Sequence, residues 1–189
     1  MLTGLYCVIK MEFQSTLLSV KQETYDVKTF RFAVPNDFTF KPGQFIMLTL
    51  DINGTQDSRA FSISSSPTEK GHIEITKKIG DSNYSQKLNS MQEGDTVKIK
   101  GPFGMFLLEE QEKNIILLAG GIGVTPFRCM IHYATDKKLA NKIAVFYSNK
   151  KPEDIAFREE FDSLVKKNKN IKIIYTVTRP EESQQSHGA

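Results

Sequence analysis

Apolar and polar positions alternate through the first half of the chain. Phe30, Phe32 and Val34 share one face of KTFRFAV, and Ile46, Leu48 and Leu50 one face of FIMLTL. Ile73 pairs with Ile75 in HIEIT, and Val97 with Ile99 in TVKIK. A period of two marks strands that bury one face. With STLLSVKQ and RAFSIS these make six predicted strands before about residue 101. Turn chemistry separates them at Pro35-Asn36-Asp37, Pro42-Gly43, Asn53-Gly54, Gly71 and Gly94-Asp95. Six short antiparallel strands predict a closed barrel, because closure removes exposed edges. Tyr84, Leu88 and Met91 fall at i, i+4 and i+7 and predict one interrupting helix.

After GPFG, Gly101 to Gly104, the period changes. NIILLAGG is a continuous apolar run of the kind buried on both faces of a parallel sheet. Phe127, Met130, Ile131 and Ala134 follow a helical period, KIAVFYS reads as a strand, Phe157, Phe161, Leu164 and Val165 mark a second helix, and IKIIYTVT closes the series. The order β-α-β-α-β is half of a doubly wound nucleotide-binding sheet. The predicted organisation is therefore a six-stranded antiparallel barrel over residues 12–108, followed by a partial Rossmann-like α/β unit over 113–189.

Composition narrows the chemistry. A chain of 189 residues, 39% hydrophobic, can bury a sizeable core, and 25 Lys+Arg against 22 Asp+Glu leave +3, too mild to predict a nucleic-acid surface. Cys7 and Cys129 are too few for a disulfide scaffold, an iron-sulfur ligand set or a structural zinc site, and His72, His132 and His187 are scattered. No metal is expected, and a reducing, cytoplasmic setting is the default. The opening MLTGLYCVIK has neither the basic start nor the cleavage site of a signal peptide, and no window approaches the ~18 apolar residues of a membrane span. The final PEESQQSHGA reads as loose chain.

Two stretches carry candidate chemistry. In AGGIGVTP, Gly120, Gly121 and Gly123 permit positive φ and close ligand approach, while Thr125 and Pro126 suit the N-cap and first position of a helix. Free amides at such a helix start favour a diphosphate, although an ordinary strand-to-helix turn has the same composition. Pro126 stands where the dinucleotide fingerprint has its third glycine. A carboxylate that would hold an NAD ribose is not found at the end of the second parallel strand, which reads Tyr147-Ser148-Asn149-Lys150. Lys150 keeps a 2′-phosphate, hence NADP, open. The other stretch, RAFSISSSP, joins a cation, a ring and four serines; on its own it reads as an edge strand running into a serine-rich turn.

Taken in order, PGQFIMLTL, RAFSISSSP, GPFG and AGGIGVTP resemble the ferredoxin-NADP reductase superfamily over about residues 12–179. RAFS matches the family's Arg-x-Tyr-Ser pattern with Phe61 in place of tyrosine, and AGGIGVTP matches Gly-Gly-x-Gly-x-Thr-Pro. The resemblance implies FAD on the barrel and NAD(P)H on the α/β unit. Within the Arg59-Ala60-Phe61-Ser62 cluster, Arg59 is then expected on flavin phosphate oxygens, Phe61 against the isoalloxazine ring and the Ser62 hydroxyl near flavin N5, the catalytic position. Ile63, Ser64 and Ser65 are expected to offer hydrogen bonds to ring or ribityl oxygens. A loose match to Gly-x-x-Ser-x-x-Leu in GDSNYSQKL adds Gly80 and Ser85 as diphosphate ligands, against the alternative of an ordinary capped helix.

The implied activity is hydride transfer from NAD(P)H to FAD, with electrons passed to a small acceptor, or to a protein such as a ferredoxin, an oxygenase component or a larger redox complex. The alternative is a flavin-binding electron-transfer subunit without its own nucleotide turnover. The family's nucleotide domain continues through further strands, so a truncated product, a partner that completes the sheet, or a genuine short form with impaired nucleotide use is expected. In the strand order 3-2-1-4, IILLA then becomes an apolar edge.

Overall fold

The computed structural model describes residues 10–181. Cys7, the signal-peptide question and most of the loose C-terminal stretch with His187 lie outside those residues. The first unit is an antiparallel sheet of β1 (Met11–Thr24), β2 (Val27–Ala33), β3 (Phe45–Ile52), β4 (Thr55–Ser62), β5 (His72–Lys78) and β6 (Thr96–Phe103), in spatial order β4-β3-β6-β1-β2-β5. Alternation places Phe30, Phe32, Ile46, Leu48, Ile73, Ile75 and Ile99 inside, all fully buried. Closure comes just past β4, where Ile63 bridges antiparallel to Ile75 and draws the two ends of the sheet together.

One helix, α1 (Asn83–Asn89), packs its Tyr84 and Leu88 into that core. Ser82 caps it by accepting from the Ser85 amide, and the Tyr84 hydroxyl donates to the Leu48 carbonyl at 2.8 Å. Met91 lies beyond the end of α1 rather than on it, yet is still buried.

The second unit is a parallel sheet of β7 (Asn114–Gly120), β8 (Lys142–Asn149) and β9 (Ile171–Val177) in that spatial order, with α2 (Thr125–Asp136) and α3 (Arg158–Lys167) as its crossovers. Leu117, Ala119, Val145 and Tyr147 share one core with Phe127, Met130, Ile131, Phe161 and Leu164, so both helices cover the same face. This corrects the expectation that β7 is buried on both sides. Ile116 is 68% and Leu118 73% exposed on the uncovered face, where Leu118 pairs with Phe146 and Phe146 with Ile174. As anticipated, β7 is an edge strand. Phe157 does not lie in α3 but precedes it in a left-handed conformation, φ +62°.

The two units meet along α2. Gly43, in the loop before β3, has φ +102°, and a Cβ there would stand 2.1 Å from the Phe106 carbonyl oxygen and 2.6 Å from Met130 Cε. Only glycine permits both the backbone conformation and the contact. Val27 of the barrel joins the core of the α/β unit. Gly43→Ala is expected to destabilise the chain by about 2–4 kcal/mol, roughly 5–15 °C in Tm, through combined strain and overpacking. Gly54→Ala, at φ +81° but with open space around its Cβ, should cost only about 1 kcal/mol. Thermal unfolding of the two variants side by side checks the difference.

Candidate functional site

RAFSISSSP divides between two surfaces. Because β4 is the outer strand of its sheet, Arg59 and Ala60 are exposed and Phe61 and Ser62 partly so. The Arg59 side chain is 60% exposed, pairs with Asp57 at 2.9 Å, and holds its guanidinium carbon 5.9 Å from the Tyr84 ring centre. Phe61 stacks on the same ring, with centroids 5.9 Å apart and planes 27° from parallel. Burial, and next the charge of Arg59, lower the pKa of Lys77 on β5, so two cations share this edge. Burial, with Asp57 behind it, pushes the Tyr84 phenol up and keeps it neutral.

From Ile63 the segment turns toward the barrel seam, and Ile63, Ser64 and Ser65 bond within the protein. The Ile63 amide donates to the Gln44 carbonyl at 3.0 Å and the Ser64 amide to the Glu74 carbonyl at 2.8 Å. Ser64, Ser65 and Ser66 are fully buried. The Ser65 Oγ accepts from the Glu74 amide at 2.9 Å, and the Ser64 Oγ lies 3.0 Å from Thr76 Oγ1, which is 2.9 Å from Thr29 Oγ1. Small hydroxyls are required here because the barrel closes on β5 and every polar backbone group in the seam must find a partner. Gly80 and Ser85 behave similarly: the Gly80 amide donates to Ser85 Oγ at 2.8 Å, and the Ser85 amide to Ser82 Oγ. Those donors are committed within the loop.

The glycine stretch does stand open. Gly120, Gly121 and Gly123 have space for a Cβ, with no atom beyond their chain neighbours within 4 Å. Only Gly121 takes positive φ, +50°; Gly120 is extended at −119°. Gly121–Val124 form a 3-10 turn that runs straight into α2, so Thr125 is the first residue of the helix and not its cap, and Pro126 follows in the first turn. A cavity of about 250 Å³ is lined by Gly121, Ile122, Ser148, Asn149 and Lys150 and, from the barrel, by Asp26, Val27 and Lys78. The Asn149 carboxamide is buried there with neither its oxygen nor its nitrogen in a hydrogen bond of normal geometry. Lys77 beside Arg59 and Lys78 beside Gly121 are consecutive on β5, so this strand end links the two surfaces.

Behind both surfaces runs an ionic chain. Arg128 of α2 donates to Glu74 Oε2 at 2.7 Å and to Glu160 Oε1 at 2.6 Å, Arg31 donates to Glu74 Oε1, and His132 Nε2 meets Glu160 Oε1. Burial opposes ionisation of both carboxylates. His132 and Arg128 nevertheless hold Glu160 down at about 2, and Arg128 and Arg31 lower Glu74.

Sequence reasoning missed Tyr84, Lys77 and Asn149 at the two surfaces, and Arg128 in the ionic chain behind them. The available signal was an arginine inside the apolar register of α2, and a glutamate between Ile73 and Ile75. A depressed carboxylate stabilises the fold above its unfolded pKa and loses that contribution as pH falls toward the folded value. The stability advantage of the native chain over Glu160→Gln should therefore be full above about pH 4.5 and shrink steadily toward about pH 2. Urea unfolding across that range measures it.

Comparison with known proteins agrees with this geometry. Residues 14–107 match the oxidoreductase FAD-binding domain and residues 117–188 the oxidoreductase NAD-binding domain. The gamma subunit of sulfhydrogenase 2 from Pyrococcus furiosus is 35% identical over 171 residues, covering 86% of this chain and 57% of its own length. The glycine betaine monooxygenase reductase subunit of Chromohalobacter salexigens is 33% identical, covering 88% and 46%. The chain thus spans about half the length of the curated relatives it matches. Among solved structures, the cytochrome b5 reductase domain of Ulva prolifera nitrate reductase superposes with TM-score 0.78 at 26% identity, over 90% of this chain and 74% of that one. A ferredoxin NADP+ reductase from Neisseria gonorrhoeae with bound FAD and NADP shares the fold, with TM-score 0.79 at 24% identity, over 89% and 69%. Barrel, glycine turn and matched domains together place the chain in the ferredoxin-NADP reductase superfamily.

Proposed function

We propose that the chain is an NAD(P)H-dependent flavin oxidoreductase module, which moves a hydride from NAD(P)H to FAD and passes electrons to an acceptor protein or small molecule. The observation that carries this reading is the pairing, across the end of β5, of an exposed arginine-aromatic edge with a glycine turn whose three missing side chains leave open space. The residues fit both groups. Three glycines whose absent side chains leave open space, beside an unsatisfied buried carboxamide, suit a diphosphate and a ribose. A guanidinium beside stacked rings suits a phosphate-bearing aromatic ligand.

In this reading Arg59 offers a planar fork of donors to phosphate oxygens, and Lys77 adds a second positive charge. Phe61, braced from behind by Tyr84, presents a ring without a hydroxyl; the stacking of the family's tyrosine is kept and its phenolic hydrogen bond lost. Ser62 supplies the hydroxyl closest in sequence to that ring. Asn149 holds the ribose in place of the carboxylate of an NAD site, and Lys150 at the cavity mouth leaves room for a 2′-phosphate. When bound, the flavin supplies the conversion between two-electron and one-electron transfer. The protein's part is to position and to exclude water, and no side chain has to serve as a strong acid or base.

Relatives named as a monooxygenase reductase subunit and as a sulfhydrogenase gamma subunit support a protein acceptor, and no helix among the described residues is long and apolar enough to cross a membrane. Anaerobic addition of NADH or NADPH should bleach the flavin absorbance of the purified, FAD-loaded chain. Reduction by dithionite but by neither nucleotide would instead identify an electron-transfer subunit without nucleotide turnover. Arg59→Ala should weaken FAD binding about 10- to 100-fold, the value of a charge-assisted hydrogen-bond pair. Equilibrium dialysis reads it, and an unchanged Kd removes Arg59 from the site.

A further inference from the structure

The geometry points to Arg128 as the positioning residue that fixes the glycine turn relative to the RAFS edge. This rests on the proposed two-cofactor reading but concerns a residue that touches neither cofactor surface. Arg128 lies one helical turn into α2 from Thr125, so it moves with the glycine turn. Its Nη1 donates to the Ser64 carbonyl at 3.2 Å and to Glu74 Oε2 at 2.7 Å, both on the barrel. Its Nε and Nη2 donate to Glu160 Oε1 and Oε2 of α3 at 2.6 and 3.2 Å, and its guanidinium lies 4.8 Å from the Phe157 ring centre.

Ser64 follows Ser62 at the end of the flavin-edge strand, and Glu74 shares β5 with Lys77 and Lys78. One planar group thus ties the strand end that carries the aromatic edge to the helix that carries the glycine turn. Hydrogen-bond directions on guanidinium are fixed, so this tie sets an orientation as well as a contact. Thr68 Oγ1, bonded to Asp136 at the far end of α2, adds a second tether on the same side. A misplacement on the order of 1 Å between two reacting rings costs about 100-fold in rate while each ligand keeps its own contacts.

The test compares the native chain with Arg128→Lys and Glu74→Gln. Both variants leave Arg59, Phe61 and the glycine turn untouched, and both weaken the tie without removing all charge from the seam. FAD affinity and dithionite reduction should stay within about 2-fold of native. The rate of flavin bleaching at saturating NADH or NADPH should fall at least 10-fold, with the long-wavelength charge-transfer absorbance of the mixed complex reduced. Independently of any cofactor, amide hydrogen exchange of the apo chain should speed up at least 10-fold at Ser64 and Glu74, at the seam, and not at Leu48 and Ile99, inside the barrel. Native bleaching rates in both variants, or seam exchange unchanged from native, would overturn the proposal. If the native chain itself is not bleached by either nucleotide, the function reading fails, and the exchange comparison still decides whether Arg128 holds the units together.

Discussion

A single guanidinium held between a buried and a partly buried carboxylate is the constraint on which the arrangement of this chain depends. Glu74 is 5% exposed and Arg128 nearly as enclosed by the packing of α2 between β5 and α3, while Glu160 is partly buried. Charges taken out of water cost several kcal/mol each unless their partners and hydrogen bonds are all in place. The barrel alone would leave Glu74 with only Arg31, and the α/β unit alone would leave Glu160 with His132 and an arginine lacking half its acceptors. The favourable state is the docked one, in one orientation. What such a network contributes is therefore a unique arrangement of the two units more than added stability, since apolar groups of the same shape bind surfaces at least as well.

The same seam explains the composition that makes RAFSISSSP unusual. Up to Ser62 the segment is an edge strand, and its outward side chains are free to meet a ligand. From Ile63 onward it must close the barrel against β5 and lie beneath α2 at once. Larger polar side chains would not fit between those elements, and apolar ones would leave the Glu74 amide without its acceptor. Serine meets both conditions, as the chain of hydroxyls from Ser64 through Thr76 to Thr29 illustrates. Function and folding thus divide one motif at a single residue, and the clamp by Arg128 on the Ser64 carbonyl joins the two halves.

How much of this could be read beforehand follows from what periodicity encodes. A period of two identified β2, β3, β5 and β6, because each has one face inside, while β4 has no fully buried position; a helical period found α2 and the body of α3. Periodicity also says which residues point outward, but not what covers them: Glu74 lies between Ile73 and Ile75 on the outward face, and only the docked helix makes it buried. Glycine composition is similarly one-sided. AGGIGVTP does join a strand to a helix, but the left-handed conformation falls at Gly121 alone among its glycines, and helical geometry already begins before Thr125. Asn149 and Lys77 could not be recognised because their significance depends on a cavity and on a neighbouring cation contributed by other strands.

The exposed row of β7 is a consequence of topology, not of an unusual sequence. Parallel strands joined by helices take right-handed crossovers almost without exception. When the strands are laid down in the spatial order β7-β8-β9, each crossover advances in the same direction, so α2 and α3 must fall on one face. Covering Ile116, Leu118 and Phe146 requires a connection that advances the opposite way, from a strand added at the free edge of β7. IILLA therefore has the composition of a strand buried on both sides, although the βαβαβ unit supplies cover for only one. The glycine turn sits at the C-terminal end of this same strand, where a doubly wound sheet reverses its order and opens its crevice. The edge left bare by the topology and the site left open by the glycines are thus two expressions of one strand order.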